Sequence, residues 1–512
     1  MNKIKKNIKL RLERLAWRRK TNKNTKGTQA TRRQTKREQA DRLDAIDPIQ
    51  ADLFSNDTIE LLKIAVPSVV SLFLVSLLGF VDSLVLGRVG AHELAAAGLA
   101  TALFNPGVLV GVGLLSAVDY FVPKSIAEGR KVSALVYAKA NLRLATILSI
   151  VLTLLIQGCM YFYDLIGASA SLSRSASDFI YVASVSYLPL FLSIAYANFL
   201  RALGKATLVV VAYVFANIVN FVFNYWFVLS PVDPFGVAAW LHRYLTFLQA
   251  SAFSSVLARV ACFGVLYFYY RREVRSLEND LEAERLQGES KIMVAAPTTS
   301  LLQLGVPAAG NAFLEVAIFA AVTMMAGRLS ETSGAAHQVV LQLASLTFML
   351  PFGLSGAASV VVARAVGEHS FLRIRFFAHR TLYMATSIMI ASALLFVFIP
   401  DRLIGFFDVS EEVHQVAKKI LIIAAAFQIF DGLQVTAIGI LRGLGNTKIT
   451  FYGNAIGHWF VGMPVAWFSC FYLENGLRGL WHGLLCGLAA VSTLMCVAVV
   501  VELARYRKKF AV

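Results

Sequence analysis

From residue 59 to residue 503 the chain runs almost without pause through apolar segments of 20 residues or more, each closed by a short break rich in charge, proline or glycine. Hydrocarbon offers no partner to a backbone N–H or C=O, and a helix needs about 20 residues to cross it, so segments of this length have one secondary structure open to them. The reading gives twelve spans, at roughly 59–83, 94–118, 136–160, 176–200, 206–229, 247–270, 301–326, 335–360, 376–399, 412–440, 448–470 and 479–503. Two carry charge, the sixth through Arg259 and the tenth through Glu412, Lys418 and Lys419 in its first turns, and both are long enough to cross. At 57% hydrophobic and 15% charged residues, the chain departs from soluble usage of about 45–50% and about 25%. The expected fold class is an all-α integral membrane protein, which leaves little room for a soluble catalytic domain of the usual 100 residues or more.

The net charge of +17 resembles a nucleic-acid signature until it is mapped: residues 1–43 hold 16 Lys/Arg against 3 acids, so most of the excess sits in one tail. Nucleic acid is therefore not expected as a partner. Short cytoplasmic loops carry the basic excess of a membrane protein. Here the even-numbered connections hold it, among them Lys124, Arg130 and Lys131, Arg201 and Lys205, Arg271 and Arg272, and Arg442 and Lys448. Both termini are expected in the cytoplasm, as an even number of spans requires. Five cysteines, odd in number and inside apolar runs without a CxxC, suggest neither a disulfide framework nor a zinc site.

Sliding the chain over itself by 240 residues lays Leu61 to Pro67 (LLKIAVP) on Leu301 to Pro307 (LLQLGVP) and Gly87-Arg88 on Gly327-Arg328. A shift of 241 lays Leu200 to Gly204 (LRALG) on Leu441 to Gly445 (LRGLG). Six spans separate the copies, so both insert the same way up and are related by an axis along the membrane normal, with a cavity expected between two lobes. The expected organisation is a basic tail (1–57), a six-helix bundle (58–270), a charged cytoplasmic connector (271–300), a second six-helix bundle (301–505) and a short basic end (506–512).

An acid near the bilayer centre is costly, about 2.5–3.5 kcal/mol on insertion scales, and so is a functional candidate by default. Asp82 lies late in the first span, Glu315 midway through the seventh and Asp431 deep in the tenth. A plain reading, an acid at a helix end reaching the headgroups, fits Asp82 best and the other two least. Glu315 and Asp431 have polar company near one helical face: Asn311 four residues before the first, Gln428 and Gln434 three either side of the second. The fifth span carries Tyr213, Asn217, Asn220 and Asn224 at spacings that stack on one face. That stripe serves either as interhelical hydrogen bonds or as the wall of a polar cavity. His337 and Gln338 open the eighth span; a lone histidine is more often a packing residue than a titrating one.

No GxxxxGK[ST] phosphate cradle occurs, and His92-Glu93 lacks the second histidine of a zinc protease. An enzyme is not expected. A transporter without a nucleotide site draws on an ion gradient instead.

At these residues the chain resembles a family, the multidrug and toxic compound extrusion (MATE) transporters, most of all their bacterial NorM-like branch. The likeness spans roughly residues 58–505 and rests on Gly79 to Asp82 (GFVD), Phe313 to Val316 (FLEV), Ala335 to Gln338 (AAHQ) with Phe348 to Pro351 (FMLP), and Phe427 to Gln434 (FQIFDGLQ) leading to Leu441-Arg442-Gly443. The resemblance implies twelve helices in two six-helix bundles of a bacterial inner-membrane protein, exporting small organic cations in exchange for inward Na⁺ or H⁺, with no other cofactor and no obligate protein partner. It also implies that Glu315 and Asp431 form the cation site of the C-terminal lobe, where Na⁺ is a candidate occupant, and that Asp82 takes part in coupling. Asn220 and Asn224 fall where relatives place an Asn and an Asp, so the uncharged Asn224 tilts the expectation towards the C-terminal lobe. Trp240 to Arg243 (WLHR) stand where relatives have small residues, and the outer end of the sixth span is expected to pack differently.

The tail lies outside the resemblance. Ile4, Ile8, Leu12 and Leu15 form a helical stripe among Lys/Arg, expected as an amphipathic helix on the anionic inner leaflet; the competing readings are an organelle presequence and a solvated tail, without further function or with nucleic-acid contacts. Two rival functions remain. A flippase for a lipid-linked substrate would need a groove lined by several Arg/Lys, whereas the deep ionisable residues read here are acids. A receptor or sensor would leave the acids and the repeat unexplained.

Overall fold

The computed structural model describes residues 48–159, 170–229, 244–286, 296–407 and 409–510. Residues up to Asn56 and the stretch Asp57–Val512 are two separate units. Among the described residues there is helix and no strand. The helices are α1 (Pro48–Val89), α2 (Ala91–Leu115), α3 (Val118–Ala127), α4 (Lys131–Gly158), α5 (Ala170–Ser184), α6 (Tyr187–Ala202), α7 (Ala206–Asn224), α8 (Phe247–Leu286), α9 (Pro297–Leu329), α10 (Glu331–Gly367), α11 (Phe371–Phe398), α12 (Pro400–Ile404), α13 (Glu411–Gly443), α14 (Lys448–Asn454), α15 (Met463–Trp467) and α16 (Gly476–Phe510). Three π-helical stretches, Tyr225–Leu229, Ala455–Gly462 and Phe468–Tyr472, continue α7, α14 and α15.

Ten helices are long and apolar enough to cross a membrane, and α5 with α6, bent by 48° at their junction, makes up to eleven. The eleventh span read from the sequence, 448–470, is helical throughout but alternates between α and π winding. Two boundaries differ from the sequence reading. The first helix starts at Pro48, well before residue 59, and α8 runs on through the first half of the charged connector to Leu286. That continuation has partners: Glu273 accepts from Lys205, and Glu278 pairs with Lys139 at 3.4 Å. The amphipathic stripe of residues 4–15 and the bulky Trp240 to Arg243 lie outside the described residues.

The apolar surface faces outward as a bilayer demands. On α4, Ile147, Ile150, Val151, Leu154 and Leu155 are all more than half exposed and recur at helical spacing, while Ala140, Leu144, Ala145 and Ile156 face the bundle. One apolar core joins α2, α4, α5 and α6 in the first half, and another joins α9, α10, α13 and α16 in the second. A third crosses between the halves, setting Leu61, Ile64 and Ala65 of α1 and Ala206 of α7 among Leu354, Val361 and Ala365 of α10.

The repeat is visible in the backbone. Gly204 and Gly445 close α6 and α13 at φ +80° and +79°, a left-handed turn that glycine adopts without strain. In each, the next amide reaches back five residues, Lys205 to Leu200 O and Asn446 to Leu441 O, both at 2.9 Å. This is the Schellman ending of a helix. The duplicated Leu-Arg-x-Leu-Gly motif is thus a helix stop that presents one arginine in each half.

Candidate functional site

Asp82 sits on α1 where α7 and α8 pack against it. Asn220 Nδ2 donates to Asp82 Oδ1 at 3.0 Å and Asn224 Nδ2 to the same oxygen at 2.8 Å, while Ser255 Oγ donates to Oδ2. Ser251 Oγ in turn donates to Asn224 Oδ1 at 2.8 Å. Three donors stand in for the water that an ionised carboxylate loses in the membrane. Asn224, the uncharged amide at the end of the stripe on α7, is one of them. Asn217 instead donates to Leu74 O and Tyr213 O, at 2.9 and 2.8 Å, so one member of the stripe ties α7 to α1.

Asp82 and Tyr213 also line a cavity of about 620 Å³, within the range of drug-sized sites. Its wall is mostly apolar, with a scatter of hydroxyls such as Ser68, Ser76 and Thr101, and with Phe352, Gly353 and Arg442 supplied by the second half. The expectation that the deep ionisable groups are acids needs correction here, because Arg201, Arg259 and Arg442 stand on this wall beside the one carboxylate of Asp82. In the sequence Arg259 registers only as a charge inside an apolar span.

Glu315, Asp431 and their neighbours do not line that cavity. They form a separate polar group in the second half, on α9, α10 and α13. Asp431 is 5% exposed, and the Glu315 carboxylate is near enough to repel it. Neither acid forms an ion pair among the described residues. Gln428 Nε2 donates to Thr347 Oγ1, and its Oε1, Asn311 Oδ1 and both amide atoms of Gln434 are buried without a hydrogen-bond partner among the described residues. His337 is fully buried, bonded through Nε2 to Thr323 Oγ1 at 2.9 Å and set edge-on to Trp481. Gln338 is exposed. The repeat shift of 241 also pairs Tyr213 and Asn217 with Asn454 and His458, which are fully buried with no hydrogen-bond partner among the described residues. Trp459 Nε1 donates to Leu314 O at 3.2 Å, which places that segment against the Glu315 turn. The sequence reading missed both residues, although the repeat offset pointed at them.

No group of three or more His, Cys, Asp or Glu with metal-binding geometry occurs among the described residues. A cation in the second half would have to draw on the two carboxylates together with amide oxygens. Oxygen donors of that kind suit a hard cation such as Na⁺.

A third cluster of charged groups joins residues of the two halves. Asp119, between α2 and the rest of α3, is fully buried and accepts from Arg201 Nη2 at 3.1 Å, while Arg442 Nη1 of the second half approaches to 3.8 Å. The two duplicated arginines therefore share a single acid, for the shift that pairs them sets Val360 opposite Asp119. Nearby, Arg364 and Arg373 of the second half pair with Glu60, and Arg373 with Asp57 at 2.9 Å.

The MatE family model matches this chain twice, over residues 67–226 and 307–468. The two matches start 240 residues apart, as the internal repeat does. The chain is 30% identical over 446 residues to a probable multidrug resistance protein NorM of Pseudomonas putida, covering 85% of this chain and 92% of that one. It is 25% identical to the multidrug resistance protein NorM of Photobacterium profundum, covering 86% and 95%. Among solved structures, the eukaryotic MATE transporter AtDTX14 superposes with a TM-score of 0.75 at 19% identity over 89% of this chain and 99% of that one. A MATE structure in a bent conformation superposes with 0.77 at 16% identity, over 89% and 97%.

Proposed function

The chain belongs to the MatE family, whose members are transporters and not enzymes, and from that premise we propose that this multi-pass membrane protein is a secondary active exporter of amphiphilic drugs and toxic metabolites, organic cations among them. That the chain is a multidrug efflux transporter follows from its likeness to the NorM relatives over most of their length. We further propose that export is coupled to inward Na⁺ or H⁺ and proceeds by alternating access.

The observation that carries the coupling is the Glu315–Asp431 pair. Two carboxylates forced into one desolvated site repel each other when both are ionised, so the pair favours a bound cation or a retained proton. A coupling ion relieves the repulsion and favours whichever shape of the lobe brings the acids together. That differential interaction is what any ligand-driven change of conformation requires. Drug binding is assigned to the cavity beside Asp82, a separate place, so exchange proceeds through the state of the whole protein.

Alternating access is supported by where the halves are tied. Asp119 with Arg442, and Glu60 and Asp57 with Arg364 and Arg373, are contacts between halves, all at the end assigned to the cytoplasm by its basic residues. In this reading the closed end is the inner one, and it opens when those pairs part. The test uses sealed proteoliposomes loaded with a fluorescent organic cation and given imposed Na⁺ or H⁺ gradients. Efflux should follow one inward gradient and stop when it is collapsed; efflux indifferent to both would overturn the reading.

A further inference from the structure

The internal repeat puts two helix pairs in register for comparison, α1 with α7 in the first half and α9 with α14 and its π continuation in the second. In the first pair Asn217 Nδ2 donates to Leu74 O at 2.9 Å. A shift of 240 lays Leu74 on Leu314, and a shift of 241 lays Asn217 on His458 and Ile218 on Trp459. In the second pair the same carbonyl, Leu314 O, accepts from Trp459 Nε1 at 3.2 Å and not from His458. The backbone accounts for the change. α7 is α-helical at Asn217, whereas Ala455–Gly462 is π-wound, with hydrogen bonds that span one residue more than those of an α-helix. The tie between the helices is kept one residue further on, and the polar residue that makes it in the first half is released in the second.

The released side chain stays inside the bundle. His458 and Asn454 are fully buried, and both ring nitrogens of the one and both amide atoms of the other lack a hydrogen-bond partner among the described residues. Their place along α9 is fixed by three contacts. Thr447 Oγ1 donates to Leu304 O at 2.6 Å, a Cβ on Gly310 would lie 2.8 Å from Phe451 Cδ2, and Trp459 holds Leu314 O. The last two bracket Asn454 and His458 on one helix and Asn311, whose Oδ1 is also buried and unpartnered, on the other. They end one residue short of Glu315, and the residue that the repeat sets opposite Glu315 in the first half is Val75. The freed polar groups and the membrane acid thus occur together, in the same half and at the same depth.

A neutral imidazole carries one donor and one acceptor, and a side-chain amide carries two donors and an acceptor oxygen. Burying such groups dry is costly, and packing alone is served better by apolar residues of the same size. Water meets both kinds of need at once, and buried water settles where several polar atoms converge. We propose that Asn454 and His458 are positioning residues of the coupling site, holding with Asn311 the water that accompanies a small monovalent cation, Na⁺ or hydronium, to Glu315 and Asp431. This rests on the coupling reading and extends that site to the eleventh span. The two residues act through the water they order, as the outer partners of a bound ion do.

The test reconstitutes the full chain and follows efflux of a fluorescent organic cation at a series of external Na⁺ concentrations and, separately, of external pH values. Each series gives a half-saturating concentration for the ion that drives the wild type, which also tells Na⁺ from hydronium. His458→Leu and Asn454→Leu, made singly, should raise that concentration about tenfold or more while dye binding is unchanged. His458→Gln, which keeps a donor and an acceptor, should stay near the wild-type value. Melting temperature in detergent separates this role from bracing. Polar groups bonded only to water give way to apolar ones at little cost, so both leucine variants should melt at or above the wild type. A leucine variant that melts lower or fails to insert would make its residue part of the packing and overturn the proposal. A half-saturating concentration unmoved by either leucine variant, while Glu315→Gln abolishes the response, would overturn it too; that result leaves the coupling reading standing and removes Asn454 and His458 from it. A wild type whose efflux follows neither ion refutes the coupling reading itself, and the role of the two residues falls with it.

Discussion

Asp82 and the Glu315–Asp431 pair meet the cost of a charge in the membrane in opposite ways. Asp82 is satisfied by donors from Asn220, Asn224 and Ser255, whereas the pair has a like charge for a neighbour and amide oxygens nearby. Replacing Asp82 by Asn turns an acceptor into a group whose Nδ2 faces donors. Thermal unfolding in detergent should show Asp82→Asn destabilised by about 1–3 kcal/mol, the usual cost of a buried polar group left unpaired; an unchanged midpoint would show that the three donors do not hold that carboxylate. Outside the membrane, Asp401 accepts from His414 Nε2 at 2.9 Å and Lys418 Nζ at 2.8 Å, and these bonds hold its carboxyl below the ordinary range. A group lowered in the folded state stabilises above its unfolded pKa, and that contribution disappears as pH falls through the folded value. The protection of the Val413 and His414 amides, taken as exchange relative to the intrinsic rate at each pH, should therefore fall in acid, and Asp401→Asn should show the lower protection already at neutral pH. The three membrane acids were legible in the sequence because each interrupts an apolar run. Asp119 was not, because it stands at the edge of the second span and reads as a connection residue until its two arginines are placed around it.

At the scale of the helix, what was legible was length and apolarity, and what was hidden was winding. The run 176–200 reads as one straight span, yet α5 and α6 meet at 48° around Val185 and Ser186. Hydropathy carries no information on that break or on the π stretches, since both keep the same residues apolar. Small residues explain how the last helix closes on its neighbour. On α16, Gly479, Gly483 and Gly487 recur every fourth residue, and a Cβ on Gly483 would lie 2.3 Å from Ala466 Cβ. Close backbone approach at such a stripe is a common means of helix association in lipid, where burial of apolar surface gives no advantage. Gly483→Leu should force α15 and α16 apart, seen as a lowered melting temperature and poor recovery from the membrane; a normal melting temperature would show the crossing to be looser than described. A second crossing joins the halves, where a Cβ on Gly305 of α9 would lie 2.4 Å from Leu114 O of α2.

At the scale of the molecule, the repeat made the architecture readable and its breaches mark where function was not. Arg201 and Arg442 are copies, but Asp119 has no counterpart, so one acid is shared by an arginine of each half, and in the proposed mechanism it is a latch between them. Asp119→Asn leaves two arginines without their acid, and breaking a buried pair costs about 3–5 kcal/mol. The loss should fall mainly on the closed end: spin labels placed across it should report a larger open fraction, and an unchanged distance distribution would remove Asp119 as the latch. The basic tail lies outside the repeat, and deleting residues 2–45 should lower membrane density more than turnover per molecule; normal insertion without efflux would make the tail part of the mechanism. In the proposed mechanism a cation held by Glu315 and Asp431 drives export. Its most direct measurement compares wild type, Glu315→Gln and Asp431→Asn, reconstituted separately at equal density, for efflux of an organic-cation dye under the same imposed gradient. Loss of gradient-driven efflux in both variants, with dye binding and melting temperature retained, is the expected result; near wild-type efflux from both would place the coupling site elsewhere, with Asp82 and its Asn220–Asn224 donors next in line.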